Sequence, residues 1–321
     1  MHLNEFQSRL NDWGQKKIPF IFWIDFELEK PVVMRVDEIE PGILFNLNGF
    51  TNVTPQFVKP GRPLVRKPVS LDTYTNKFQQ VMDRLRYGDS FLINLTIKTE
   101  IESDRSLKDL FHLSKAKYKL FVPDQFLVFS PETFVRIERG RIFSFPMKGT
   151  IDAAIPGATD IILSNAKEKC EHVTIVDLIR NDLSKVSERV SVSRFRYVEE
   201  IKTVGKRLLQ VSSEIVGDLP AGYSAKWGDI MVALLPAGSV SGAPKEKTLE
   251  IISQVEQEKR GYYTGIVGYF DGENLDSGVM IRFIEMQGDK LYYRSGGGIT
   301  AQSDVLSEYQ EAIDKVYVPI H

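Results

Sequence analysis

The stretch GVMIRFIEMQGDKLYYRSG, residues 278–296, reads as two strand arms folded back on each other about Gly288-Asp289. Its neighbours repeat the pattern. FVRIERGRIFSF (134–145) is a second hairpin with ERGR as its turn, and YYTGIVGYFDGE (262–273) is a further strand. In SFLINLTIKTEI (90–101), Phe91, Ile93, Leu95 and Ile97 alternate with Leu92, Asn94, Thr96 and Lys98, the signature of a half-buried strand. Helices are interspersed. Ser70 caps one in which Leu71, Tyr74, Phe78, Val81, Met82 and Leu85 recur at helical spacing, and Gly88 ends it. NAKEKCEHVTIVDLIRNDLSKV (165–186) is another, and DVLSEYQEAIDKV (304–316), capped by Ser303 or Asp304, is the last. Hairpins and helices mix without a βαβ alternation, so the expected fold is α+β with large, mainly antiparallel sheets, not a doubly wound one.

The 321 residues, 42% of them hydrophobic, suffice for one large domain or two ordinary ones. A net charge of −2 without a basic run gives no support to a nucleic-acid partner or an anionic membrane. No apolar run approaches the ~18 residues of a membrane span, and MHLNEFQSRL lacks a signal-peptide pattern. A single cysteine, Cys170, is compatible with a reducing compartment, so a cytoplasmic protein is expected. The segment 48–70, broken by four prolines and two glycines, reads as a connection. It divides a reduced N-terminal portion, 1–69, contributing to the same fold, from a main body, 70–321.

Several features are suited to chemistry. Glu168 and Glu171 are three residues apart on one expected helix, and Glu308 and Glu311 on another, so each helix presents two carboxylates on one face. Converging, the pairs would suit a hard cation such as Mg²⁺; otherwise each is a solvated face. Gly296, Gly297 and Gly298 in SGGGIT precede the last helix and read as an anion-binding nest or a linker. LPAGSVSGAPKEKT (235–248) is not a nucleotide phosphate loop, because Pro244 interrupts it and Glu246 follows its lysine. Arg180, Asn181 and Asp182 read as a buried polar cluster tying helix to sheet. Arg260 and Arg282 are carboxylate partners or structural ion pairs. The four histidines, His2, His112, His172 and His321, show no metal-ligand spacing. In FPMKGT (145–150), Lys148 stands between a proline and a glycine, where it either solvates a turn, binds an anion or attacks a substrate.

Taken in order, SPETF (130–134), PMKGT (146–150), EHVTIVDLIRND (171–182), PAGSVSGAPK (236–245), RGYYTG (260–265) and GGGITAQSDVLSEYQEA (296–312) closely resemble the chorismate-utilising enzymes, from about residue 70 to the end. This resemblance implies a sandwich of two large sheets flanked by helices, with chorismate and Mg²⁺ between them, so that 70–321 is a chorismate-binding catalytic domain. It implies that Glu171 with Glu308 or Glu311 holds the metal, Glu168 supporting, and that the metal neutralises the ring carboxylate. Gly296, Gly297 and Gly298, with Tyr263 and Arg282, are implied binders of the enolpyruvyl carboxylate, and Thr150 a further substrate contact. Glu132 resembles the acid that protonates the departing C4 hydroxyl.

Within the family, most members carry alanine where this chain has Lys148. The lysine resembles aminodeoxychorismate synthase component I, whose lysine attacks C2 as the C4 hydroxide leaves, before ammonia adds at C4. Isochorismate and salicylate synthases carry a water-activating lysine where this chain has the apolar Leu92, and other relatives have glutamine there. Gln210 in LLQVSSEIVGDL replaces a family histidine that assists the leaving group, and Ser241 replaces the usual threonine of its motif. The short N-terminal portion is too reduced for the tryptophan-binding segment of many relatives, so feedback control by tryptophan is not expected. The resemblance therefore implies conversion of chorismate and ammonia to 4-amino-4-deoxychorismate for 4-aminobenzoate and folate synthesis, with anthranilate formation or a weakened chorismate binder as alternatives. Cys170 lies in the EKCEH helix, so the ammonia is expected from a separate glutamine amidotransferase subunit.

Overall fold

A computed structural model describes residues 1–59, 61–203 and 206–320. His321, one of the four histidines considered above, and Pro60 of the 48–70 connection lie outside the described residues. Among the described residues, two antiparallel nine-stranded sheets pack face to face with helices outside them, the α+β sandwich that the family resemblance implies.

The strand Phe20–Ile24 shows how the layers are built. All five residues of FIFWI are buried. Phe20, Phe22 and Ile24 join the cluster formed with Phe6 and Leu10 of the helix Leu3–Gln15 and with Trp227 and Met231. Ile21 and Trp23 point the other way, into a cluster with Phe45, Tyr118, Leu120 and Val128 of the second sheet. Period-two alternation thus sends one strand's side chains into two cores. The second sheet is covered outside by the helices Leu71–Tyr87, Lys245–Glu256 and Val305–Asp314.

In the first sheet, Thr133–Glu138 pairs with Arg141–Ser144 and with Leu275–Val279, while Met147–Asp152 pairs with Lys206–Asp218. In the second, Lys290–Ile299 lies between Leu92–Glu102 and Phe283–Gln287. The hairpin about Gly288-Asp289 has its turn where the sequence places it, but its first arm is shorter than read. Val279 still belongs to the other sheet, and Arg282, at φ 54°, turns the chain across from one sheet to the next. A half-buried face was expected for 90–101. Instead Leu92 and Thr96 are covered as well as Ile93 and Leu95, and Phe91 is left exposed before the strand begins. Both faces are covered because helices pack on one and the site lies against the other.

The helix caps are as read. Ser70 accepts from Thr73 N, Gly88 closes the same helix at φ 94°, and Asp304, not Ser303, caps the last helix by accepting from Ser307 N.

Candidate active site

A cavity of about 490 Å³ opens between the sheets. Glu132, Lys148, Thr150, Glu168, Glu171, Tyr263, Arg282, Gly296, Gly297, Gly298, Glu308 and Glu311 all line it. Residues spread over 180 positions of sequence, on both sheets and two helices, are brought together because their elements face one space.

Lys148 stands in the strand Met147–Asp152, whose register slips between Met147 and Thr150, with Gly149 at φ 83°. A bulge re-aims side chains, and here it turns the amine inward. Lys148 Nζ lies 3.5 Å from Glu171 Oε2, and a Cβ added to Gly298 would stand 3.4 Å from it. Pro146 is tied down by its carbonyl, which accepts from Ser213 N. The Ser213 hydroxyl bonds His172 Nε2 at 2.6 Å. Burial, then the charges of Arg196 and Lys148, push the His172 imidazole down to about 4, so it is neutral.

The two carboxylate helices converge as paired faces should. Asn165 caps Ala166–Leu183 by accepting from Glu168 N, and Asp304 caps Val305–Asp314. Both caps therefore hold the first turn, where the glutamates begin. Glu171 and Glu308 are buried at 9% and 5% exposure. Glu308 accepts from Ser303 Oγ at 2.7 Å, and Glu311 pairs with Lys315 at 2.7 Å.

Gly296–Gly298 do not form a nest. They are extended, in register with Thr96, Leu95 and Asn94 on one side of the strand, and none of the three has the positive φ a nest would need. Their use is space. A Cβ at Gly297 would lie 3.5 Å from Glu308 Oε2, and one at Gly298 2.9 Å from Leu92 Cδ1. Three small residues let the carboxylates and Lys148 approach the strand. The Arg180-Asn181-Asp182 reading also needs correction: Arg180 and Asn181 are exposed, and only Asp182 is buried. It joins Lys245 at 2.6 Å and Lys185 at 2.8 Å, linking helix to helix.

Glu132 follows the strand Phe126–Ser130 and accepts a 2.5 Å bond from Ser239 Oγ. Burial raises its carboxyl above the ordinary range, opposed by that bond and by the charges of Lys148 and Lys315. A raised carboxyl is a proton donor in waiting. Burial likewise pushes the Tyr263 hydroxyl up to about 12, leaving it a hydrogen-bond donor. Arg282 donates to Lys315 O at 2.7 Å.

Ser239 and Lys315 were not singled out by sequence. Ser239 was visible inside PAGSVSGAPK, and Lys315 as the residue four after Glu311. Lys315 Nζ also donates to Gly296 O at 2.8 Å, adding a cation to the cavity wall. Gln210 lines the cavity opposite Thr150 in register, and Leu92 lies just behind Gly298. Among the described residues, no three acidic, histidine or cysteine side chains are gathered tightly enough to hold a metal by themselves.

The result is a polar cavity between two sheets, with four carboxylates on one side and Lys148, Arg282 and Lys315 among its cations, sized for a small polar molecule. The sequence profile of the chorismate binding enzymes matches residues 9–321, and the chain belongs to that family. An uncharacterized PabA-like protein of Pasteurella multocida (strain Pm70) is 50% identical over 323 residues, covering 100% of each chain. Aminodeoxychorismate synthase component 1 of Klebsiella aerogenes is 33% identical over 272 residues, 80% of this chain and 59% of that one. The crystal structure of anthranilate synthase component I from Streptococcus pneumoniae TIGR4 matches with a TM-score of 0.69 at 31% identity, over 79% of this chain and 59% of that one.

Proposed function

We propose that this protein is an aminodeoxychorismate synthase component I, converting chorismate and ammonia to 4-amino-4-deoxychorismate. The observation that carries the reading is Lys148, whose amine faces the cavity 3.5 Å from Glu171 and beside Gly298. Its amine attacks C2 of chorismate, the two conjugated ring double bonds each shift by one bond away from C2, and the C4 hydroxyl departs with a proton from Glu132 as water. Ammonia then adds at C4, both double bonds return, and the lysine amine is expelled from C2; a proton lost by the incoming nitrogen restores Glu132. Glu132 is suited to this because burial favours its neutral form. Ser239, bonded to one carboxyl oxygen, leaves the other for the leaving group.

Mg²⁺ fits the donor set: it takes one or two carboxylates plus substrate oxygens and water, so a cluster of three protein ligands is not required. Glu171 and Glu308 would hold it, with Glu168 and Glu311 alongside, and when bound it would neutralise the ring carboxylate. Tyr263 and Arg282 orient the enolpyruvyl carboxylate against the glycine strand. Leu92, buried at 3% beside Gly298, leaves no base there to activate water. The ammonia would come from a glutamine amidotransferase subunit, and the product would feed 4-aminobenzoate and folate synthesis.

The test is a product assay with chorismate, Mg²⁺ and a high concentration of ammonium salt, on wild type beside Lys148→Ala. Aminodeoxychorismate from the wild type, its severe loss in the variant, and a trapped adduct mapping to Lys148 by mass spectrometry are expected. Anthranilate instead would make the protein an anthranilate synthase component I, and unchanged amination by Lys148→Ala would remove the nucleophile.

A further inference from the structure

Arg260 is 1% exposed, and two of the residues its guanidinium bonds, Asn94 and Val240, line the cavity. Nε donates to Glu256 Oε2 at 2.9 Å and Nη2 to Glu256 Oε1 at 2.7 Å, a two-pronged pair. Nη2 also donates to the Asn94 carbonyl at 2.7 Å, and Nη1 to the Val240 carbonyl at 2.8 Å. The plane lies over the Phe26 ring, 4.6 Å from its centre. Glu256 is held in turn: its Oε1 accepts from the backbone and hydroxyl of Thr96 at 2.9 and 3.0 Å.

Each carbonyl so held adjoins a cavity residue. Val240 follows Ser239, the partner of Glu132. Asn94 lines the cavity and pairs with Gly298 in the ladder. Tyr263 lies three residues along the chain from Arg260 itself, on a turn whose N–H groups at Arg260 and Gly261 are accepted by Glu27 at 2.8 and 3.0 Å. A buried ion pair is weak evidence of stability, since apolar residues can replace one at little loss. What a planar fork supplies is direction.

We infer that Arg260, oriented by Glu256, is a positioning residue for the proton donor: by fixing the Val240 carbonyl it keeps Ser239 in register to clamp Glu132. The inference rests on Glu132 acting as the acid in the reaction proposed above. Arg260 touches no substrate; it acts through Ser239.

A double-mutant cycle in the full-length protein tests this. Arg260→Lys and Ser239→Ala should each lower kcat for chorismate consumption by on the order of tenfold to a hundredfold, with KM for chorismate nearly unchanged. Because both act on one clamp, the double variant should be no slower than the slower single. Effects that multiply, or a raised KM at unchanged kcat, would overturn the inference. If Arg260→Lys does not fold, Glu256→Gln replaces it in the cycle, and the same non-multiplying result is required. Glu132→Gln separates the two levels. If it turns over chorismate like wild type, the acid role falls and the reaction scheme with it. If it is impaired while the cycle multiplies, only the role of Arg260 falls.

Discussion

Glu132 holds its proton more tightly than an ordinary carboxyl because burial disfavours its anion. A general acid works only while protonated, so kcat should decline as pH rises through the shifted value. Glu132→Gln should abolish that limb and lower kcat by about 10²–10⁴-fold. The same shift acts on stability. The neutral carboxyl contributes fully below the ordinary carboxylate range, and that contribution is lost as pH climbs through the raised value. Glutamine is neutral throughout, so the Tm of Glu132→Gln should gain on wild type with rising pH; thermal melts across about pH 4–8 check it. Glu132 and Lys148 were legible because motifs carry them. Ser239 was not, since its partner lies 107 residues away. Nor was the state of the glycine run: consecutive glycines allow a nest or a strand, and pairing with Asn94–Thr96 decides.

Helix ends set the carboxylates. Asp304 accepts from Ser307 N one residue before Glu308, and Asn165 from Glu168 N itself. Asp304→Ala should cost about 1 kcal/mol of stability, read as a lowered Tm. Fraying of that first turn should also weaken the Mg²⁺ binding proposed above, as measured by titration calorimetry. Caps were legible in sequence because their partners lie within one turn. The Arg180-Asn181-Asp182 stretch was harder. Which of its three residues is buried depends on Lys245, delivered by a helix more than sixty residues on.

At the scale of the molecule, the segment before residue 70 is woven into the main body. Phe20–Ile24 lies between Val32–Arg35 and Ile266–Phe270 in the first sheet, buried on both faces. Glu27 holds the turn that leads to Tyr263. A chain of residues 70–321 alone should therefore show no cooperative thermal transition by near-ultraviolet circular dichroism, whereas an independent catalytic domain would melt sharply. The α+β class with large antiparallel sheets was legible in the hairpins and helices, and the two-sheet sandwich in the family resemblance. The strand order was not, because it depends on pairings such as that of residues 20–24 with 266–270, which no local pattern records.

One of those pairings bears on how the protein is made. Lys290–Ile299 leaves the ribosome last among the strands, yet its place is in the middle of the second sheet, against Leu92–Glu102. Until translation is nearly finished, the older strand has an open edge along the side this one will occupy. Such an edge is a template for pairing with other chains. The nascent protein should therefore most need chaperone protection just before the three glycines of the cavity wall arrive.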